Sequence, residues 1–230
     1  MVVVDFWLWS LTTDAAEDAR LSAHLSPDEA ARADRFVDPA HGVAYRAGRG
    51  RMREVLAGYL SQLPSELAFT YNPQGKPSLP NGPAFNLSHA GGFAALGVVP
   101  TGERIGVDIE AFRAVEDGVA QRFFAAAEYS ELSDLPEDQW AAGFFRCWTR
   151  KEAIVKGYGP GLSMSLSDFE VSLRPEDPAE LRVMAGQDPH DWKMVHLDLG
   201  GQSVGAIAVE SFGRDIQVVP KGPIWPRGIG

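Results

Sequence analysis

A chain of 230 residues, 45% hydrophobic and 23% charged, can bury a sizeable core, which excludes disordered and collagen-like architectures. Twenty-one Lys and Arg against thirty-one Asp and Glu leave a net charge of −10, the wrong sign for a protein that must neutralise nucleic-acid phosphates. Apolar runs such as Phe93 to Val99 fall far short of the roughly 18 to 20 residues that span a bilayer, which excludes a transmembrane helix.

The opening MVVVDFWLWS has no basic n-region and carries Asp5 inside its apolar stretch, so Val2 to Leu11 reads as a first strand of a cytoplasmic protein and not as a signal peptide. Ser26-Pro-Asp-Glu offers an N-cap, a first-position proline and early acids for a helix. A second helix is expected from about Gly42 to Leu63, stopped by Pro64. Asn72 to Pro77 reads as a turn, and Ala84 to Ser88 and Phe93 to Val99 alternate as two strands joined by His89-Ala-Gly-Gly.

After a break at Pro100-Thr-Gly-Glu, Ile105 to Glu110 is a strand, Val119 to Leu132 and Trp140 to Gly157 are helices, and Leu166 to Leu173 is a strand. Lys193 to Leu199 and Ser203 to Glu210 form a second hairpin across Gly200-Gly201. The order of elements thus repeats at a displacement of about one hundred residues, although identities hardly match. The expectation is an α+β fold of two similar halves, 1–103 and 104–212, with the Pro/Gly-rich stretch to Gly230, including Trp225, as a wrapping tail over 213–230.

In Ile105-Gly-Val-Asp-Ile-Glu the period of two sets Asp108 and Glu110 side by side on one strand face, either at an exposed edge or against a compensating cation. In the second long helix Phe145, Trp148, Glu152 and Lys156 share a face, so Glu152 and Lys156 form either an exposed surface pair or a buried pair that needs a ligand. Three carboxylates without clustered His or Cys suit a hard cation such as Mg²⁺, with Mn²⁺ equally acceptable, and such a cation implies a phosphate-bearing substrate. Phosphate donors are offered by Phe85-Asn-Leu-Ser-His89, where Phe85 and Leu87 should face the core and Asn86 and Ser88 the outside. No G-x-S-x-G elbow surrounds Ser88, and the lone Cys147 reads as a small buried hydrophobe.

Gly75-Lys-Pro, Asn86-Leu-Ser-His89, Gly106-Val-Asp-Ile-Glu110 and Trp148-Thr-Arg-Lys-Glu-Ala-Ile-Val-Lys156, in that order and spacing, resemble the motifs of the 4′-phosphopantetheinyl transferases of the surfactin-synthetase-activating (Sfp) type. The resemblance implies a pseudo-dimer of two similar α+β halves. It also implies transfer of the 4′-phosphopantetheine arm of coenzyme A to a serine of an apo acyl or peptidyl carrier protein, releasing adenosine 3′,5′-bisphosphate. On the matching positions it assigns Asp108, Glu110 and Glu152 to the metal, and Lys76, Ser88 and His89 to coenzyme A phosphates. Lys151 and Lys156 fall beside the pyrophosphate, Asp108 also contacts the co-substrate through the metal, and Arg46 lies near the adenine nucleotide. Glu152 would take the serine proton and Lys156 stabilise the pyrophosphate charge.

Two other readings use the same residues: a Mg²⁺-dependent phosphodiesterase or nucleotide hydrolase, and an inactive module that binds coenzyme A or the carrier. An internal cleft between halves favours a monomer, and exposed apolar groups at Phe123, Phe124 and Tyr129 are the expected carrier-docking face.

Overall fold

The computed structural model describes residues 1–159, 164–201 and 203–222; Trp225 lies outside them. Strand β1 (Val2–Ser10) leads into helix α1 (Ala15–Ser22), which starts where the Asp14 side chain accepts from the amide of Glu17. The sequence reading had no helix there. Helix α2 (Pro27–Asp34) starts at the expected N-cap Ser26, which also forms a capping box with Glu29. Helix α3 (Pro39–Leu60) begins earlier than expected because Asp38 caps it with Pro39 in the first turn, and it ends at Ser61, in the left-handed region at φ 53°, before Pro64 is reached. The turn at Asn72 to Pro77 joins two short strands, β2 (Thr70–Tyr71) and β3 (Pro77–Ser78). The hairpin β4 (Ala84–Ala90) and β5 (Phe93–Val99) closes the first half.

The second half opens with β6 (Ile105–Ala111). The helix expected over Val119 to Leu132 is two helices, α4 (Val119–Phe123) and α5 (Ala126–Ser133), because Phe124 and Ala125 adopt extended backbone and Phe124 turns into the core. Helix α6 (Glu137–Tyr158) follows. The strand expected from Leu166 begins as a 3₁₀ turn and becomes β7 (Phe169–Val171), paired with β8 (Leu181–Met184). The hairpin β9 (Trp192–Asp198) and β10 (Ser203–Glu210) leads to β11 (Ile216–Pro220).

One sheet runs β11-β1-β5-β4 and another β6-β10-β9. In each half the opening strand pairs with the second strand of the closing hairpin, so β1-β5-β4 and β6-β10-β9 are the same arrangement. The repeat lies in topology and not in residue identity. Helix α3 covers one face of the first sheet through Met52 and Leu56 against Trp9, Phe85 and Leu96. Helix α6 covers one face of the second through Phe145, Ala153 and Ile154 against Ala206 and Ala208. The remaining faces meet in a central core of Val4, Phe6, Ala95, Val107, Ile109 and Ile207. The layers are therefore helix, sheet, sheet, helix.

Residues 216–220, expected in a wrapping tail, are a strand: β11 pairs in parallel with β1, from Val2 with Ile216 to Phe6 with Pro220. The last described strand thus belongs to the sheet of the first half. No helix among the described residues is long and apolar enough to cross a membrane.

Candidate active site

The sequence Ile105 to Glu110 alternates as expected, but both faces of β6 are covered. A Cβ at Gly106 would lie 1.9 Å from the carbonyl oxygen of Ala153, so only glycine lets α6 lie directly on the strand here. The same face carries Asp108 two residues on. Helix α6 therefore delivers Glu152 and Lys156 to the aspartate, and neither the exposed-edge nor the surface-pair alternative describes these residues.

Lys156 pairs with Asp108, its Nζ 2.5 Å from Oδ1. The same Nζ donates to Oγ of Ser88 at 3.3 Å, and Ser88 donates to Asp108 Oδ1 at 3.1 Å. Oδ2 of Asp108 is buried with no hydrogen-bond partner. Burial pushes the Asp108 carboxyl up to about 6; Lys156 opposes this, and Glu152 and Glu110 add to it. Glu152 is likewise raised by burial, with Lys156 pulling it down and Glu110 pushing it up. Asp108 and Glu152 thus share the Lys156 ammonium, with Glu110 close enough to raise both.

Ser88 and Asn86 do not face outward as expected. Both are buried, because β4 lies alongside β6 and their side chains point across the gap between the halves. Ser88 Oγ accepts from the amide of Ile109 at 3.3 Å and Asn86 Oδ1 from the amide of Val107 at 2.7 Å. His89, at the end of β4, is exposed; partial burial of its ring and nearby Lys156 lower its pKa. Asn86 was not among the expected site residues. The signal was the alternation of β4 itself, which places it on the same face as Ser88.

Lys76 reaches across the same boundary, donating from Nζ to the carbonyls of Ile105, at 3.0 Å, and Lys156. Burial lowers its pKa to about 8, helped by Arg104. A cleft of about 260 Å³ opens beside it, lined by Ser78, Phe85, Arg104 and Ile105 among others.

The structure does not bring two expected residues into this cluster. Lys151 lies in the core of the second half, its Nζ 2.7 Å from Glu128 and from the carbonyl of Leu166 and 2.5 Å from that of Phe169. Its three donors are spent, and no ammonium proton remains for a pyrophosphate. Arg46 is held by Asp18 through two bonds of 2.8 Å on the helical side of the first half. The expected docking aromatics are also mostly claimed: Phe124 is buried, Phe123 sits edge-on to Trp148 at 5.8 Å, and only Tyr129 is exposed. Cys147 is buried, as expected, and burial holds its thiol far above the usual range.

Among the described residues no three His, Cys, Asp or Glu side chains converge ready to hold a metal. Glu110 is turned to Arg113, at 2.6 Å, and Asp108 to Lys156. The donor chemistry nevertheless fits a hard divalent cation, because the orphaned Asp108 Oδ2 and the mutual repulsion of three carboxylates are what such an ion relieves.

A sequence model described as the 4′-phosphopantetheinyl transferase superfamily matches residues 104–209. The chain is 39% identical to the 4′-phosphopantetheinyl transferase HetI of Nostoc sp. over 90% of its length and 88% of that protein's. It is 28% identical to the 4′-phosphopantetheinyl transferase Sfp of Bacillus subtilis, covering 88% and 91%. Identity to the 4′-phosphopantetheinyl transferase psf-1 of Bacillus pumilus is 31%, covering 74% and 73%.

Proposed function

Because the chain belongs to the 4′-phosphopantetheinyl transferase superfamily, we propose that it moves the 4′-phosphopantetheine arm of coenzyme A onto a serine hydroxyl of an acyl or peptidyl carrier protein, with Mg²⁺ and with release of adenosine 3′,5′-bisphosphate. The observation that carries this reading is the convergence of Ser88, Asp108, Glu152 and Lys156 where the two halves meet.

Asp108, Glu110 and Glu152 would hold the cation, Glu110 leaving Arg113 to do so. When bound, the ion neutralises charge on the pyrophosphate oxygens. The chain's own groups do the rest. Lys156, already within reach of Asp108 and Ser88, presents a cation to the oxygens around the phosphorus. His89 offers a further donor from the first half, and Ser88 would do so once its hydroxyl turns from Asp108. Glu152, raised by burial, accepts the proton of the carrier serine as its oxygen bonds to phosphorus. The bond from phosphorus to the nucleotide phosphate breaks, and the electron pair leaves with adenosine 3′,5′-bisphosphate.

Lys76 supports this reading less directly than the motif implied, since its ammonium is committed to two backbone carbonyls. Residues 1–103 would supply the phosphate donors and 104–212 the metal and proton-transfer groups, so both halves of one chain complete the site and a cytoplasmic monomer suffices. The test is a reaction with apo carrier, coenzyme A and Mg²⁺, followed by chromatography of nucleotide and protein products. Equal yields of holo-carrier and adenosine 3′,5′-bisphosphate, abolished by EDTA, support the reading. Nucleotide release without holo-carrier identifies a hydrolase instead.

A further inference from the structure

Strand β6 uses one edge for β10 and offers the other to the first half. On that free edge successive outward-pointing residues are Ile105, Val107 and Ile109. Each is met by a polar side chain and not by a backbone: Lys76 Nζ on the Ile105 carbonyl, Asn86 Oδ1 on the Val107 amide and Ser88 Oγ on the Ile109 amide. The Asn86 and Ser88 bonds both join residues 21 apart in the chain, so β4 and β6 run parallel and in register. The equivalent edge of β1 is closed differently, by a true parallel ladder to β11. Side chains and not a backbone ladder bridge β4 and β6. The Ser88 hydroxyl in that bridge also meets Asp108 Oδ1 and the Lys156 ammonium.

We propose that Asn86 is a positioning residue for the transfer reaction: by holding the Val107 amide from the first half, it fixes β6 and so sets where the free oxygen of Asp108 stands. The proposal rests on the function given above. Asn86 acts through the residue before Asp108, while Ser88 steadies the residue after it. The aspartate is thereby gripped on both sides by one strand of the other half. A misplacement of about 1 Å at such a group is enough to cost a hundredfold in rate.

The experiment compares wild type with Asn86→Ala, which removes the acceptor, and Asn86→Ser, which keeps a shorter one; Ser88 already spans the same gap with a hydroxyl. Four quantities are read: hydrogen exchange of the Val107 amide, Mn²⁺ affinity by calorimetry, the thermal midpoint, and kcat and KM for transfer. In Asn86→Ala the Val107 amide should lose protection, Mn²⁺ affinity and kcat should each fall by about tenfold to a hundredfold, and KM for the carrier should stay unchanged. Asn86→Ser should restore most of both. Unchanged Mn²⁺ affinity and kcat in Asn86→Ala, with the amide freed, overturn the proposal, as does a protected Val107 amide. Should Asn86→Ala not fold, Asn86→Ser must show a partial loss of Mn²⁺ affinity with a near-native thermal midpoint, and full affinity overturns the proposal. If wild type transfers nothing, the functional reading fails on its own, and amide exchange and Mn²⁺ affinity still decide the role of Asn86.

Discussion

Lys156 gives its ammonium to Oδ1 of Asp108 at 2.5 Å while Oδ2 of the same carboxylate stays buried without a partner. The aspartate is thus half compensated. Its charge is tolerated because of Lys156 and remains costly because of burial and of Glu152 and Glu110.

The pH dependence follows from that balance. Asp108, ordinarily near 3.8, is pushed up to about 6 in the folded chain, which therefore binds this proton more tightly than the unfolded chain does. The stability contributed is full below about pH 4 and is lost as pH rises through about 6. Asp108→Asn should accordingly gain stability relative to wild type between pH 4 and pH 7, measured by urea unfolding. Metal binding runs the other way, because the charged carboxylate is the liganding form: Mn²⁺ affinity of the chain without coenzyme A should fall as pH drops through about 6. Lys156→Met should move that acid limb upward, and an unmoved limb would separate it from Asp108.

Glu152→Gln keeps the shape of the side chain and removes its basicity. Turnover should fall by about a hundredfold to ten-thousandfold while coenzyme A binding, followed by calorimetry, is retained. Equal turnover takes Glu152 out of the proton transfer.

Lys151 is expected to matter for stability and not for co-substrate. Lys151→Met leaves Glu128 buried and charged against the amides of Ala125 and Val171, at a cost of about 3 to 5 kcal/mol in guanidinium unfolding. Adding Glu128→Gln should recover part of it, and KM for coenzyme A should not change in the double variant. A raised KM there would return Lys151 to the pyrophosphate.

Ending the chain at Gly213 removes β11 and strips one edge of β1 at Val2, Val4 and Phe6. Net loss of that ladder should lower stability by several kcal/mol, on the order of 1 kcal/mol per bond, with a lower thermal midpoint. A midpoint equal to that of the whole chain would show that β11 does not hold the first sheet.

Much of this was readable from local pattern. Ser26 announced the start of α2, alternation announced β4, β5 and β6, the Gly200-Gly201 turn announced the hairpin of β9 and β10, and the spacing of Glu152 and Lys156 put both on one face of α6. What the pattern could not carry was the choice of partner. Asn86 and Ser88 sit on the polar face of an alternating strand, and only the second half, packed against it, makes that face an interior. Lys151 is one residue from Glu152, and the difference between a core ion pair and the seam is one helical step of about 100°. Residues 216–220 were hidden by their Pro/Gly-rich surroundings, and their partner lies at the opposite end of the chain.

The most direct test is the intact mass of an apo carrier protein after incubation with this chain, coenzyme A and Mg²⁺, beside the same carrier with its acceptor serine changed to alanine. The account predicts a gain of one phosphopantetheine on the serine carrier and none on the alanine one. An unchanged mass across acyl and peptidyl carriers, with coenzyme A intact, would contradict it.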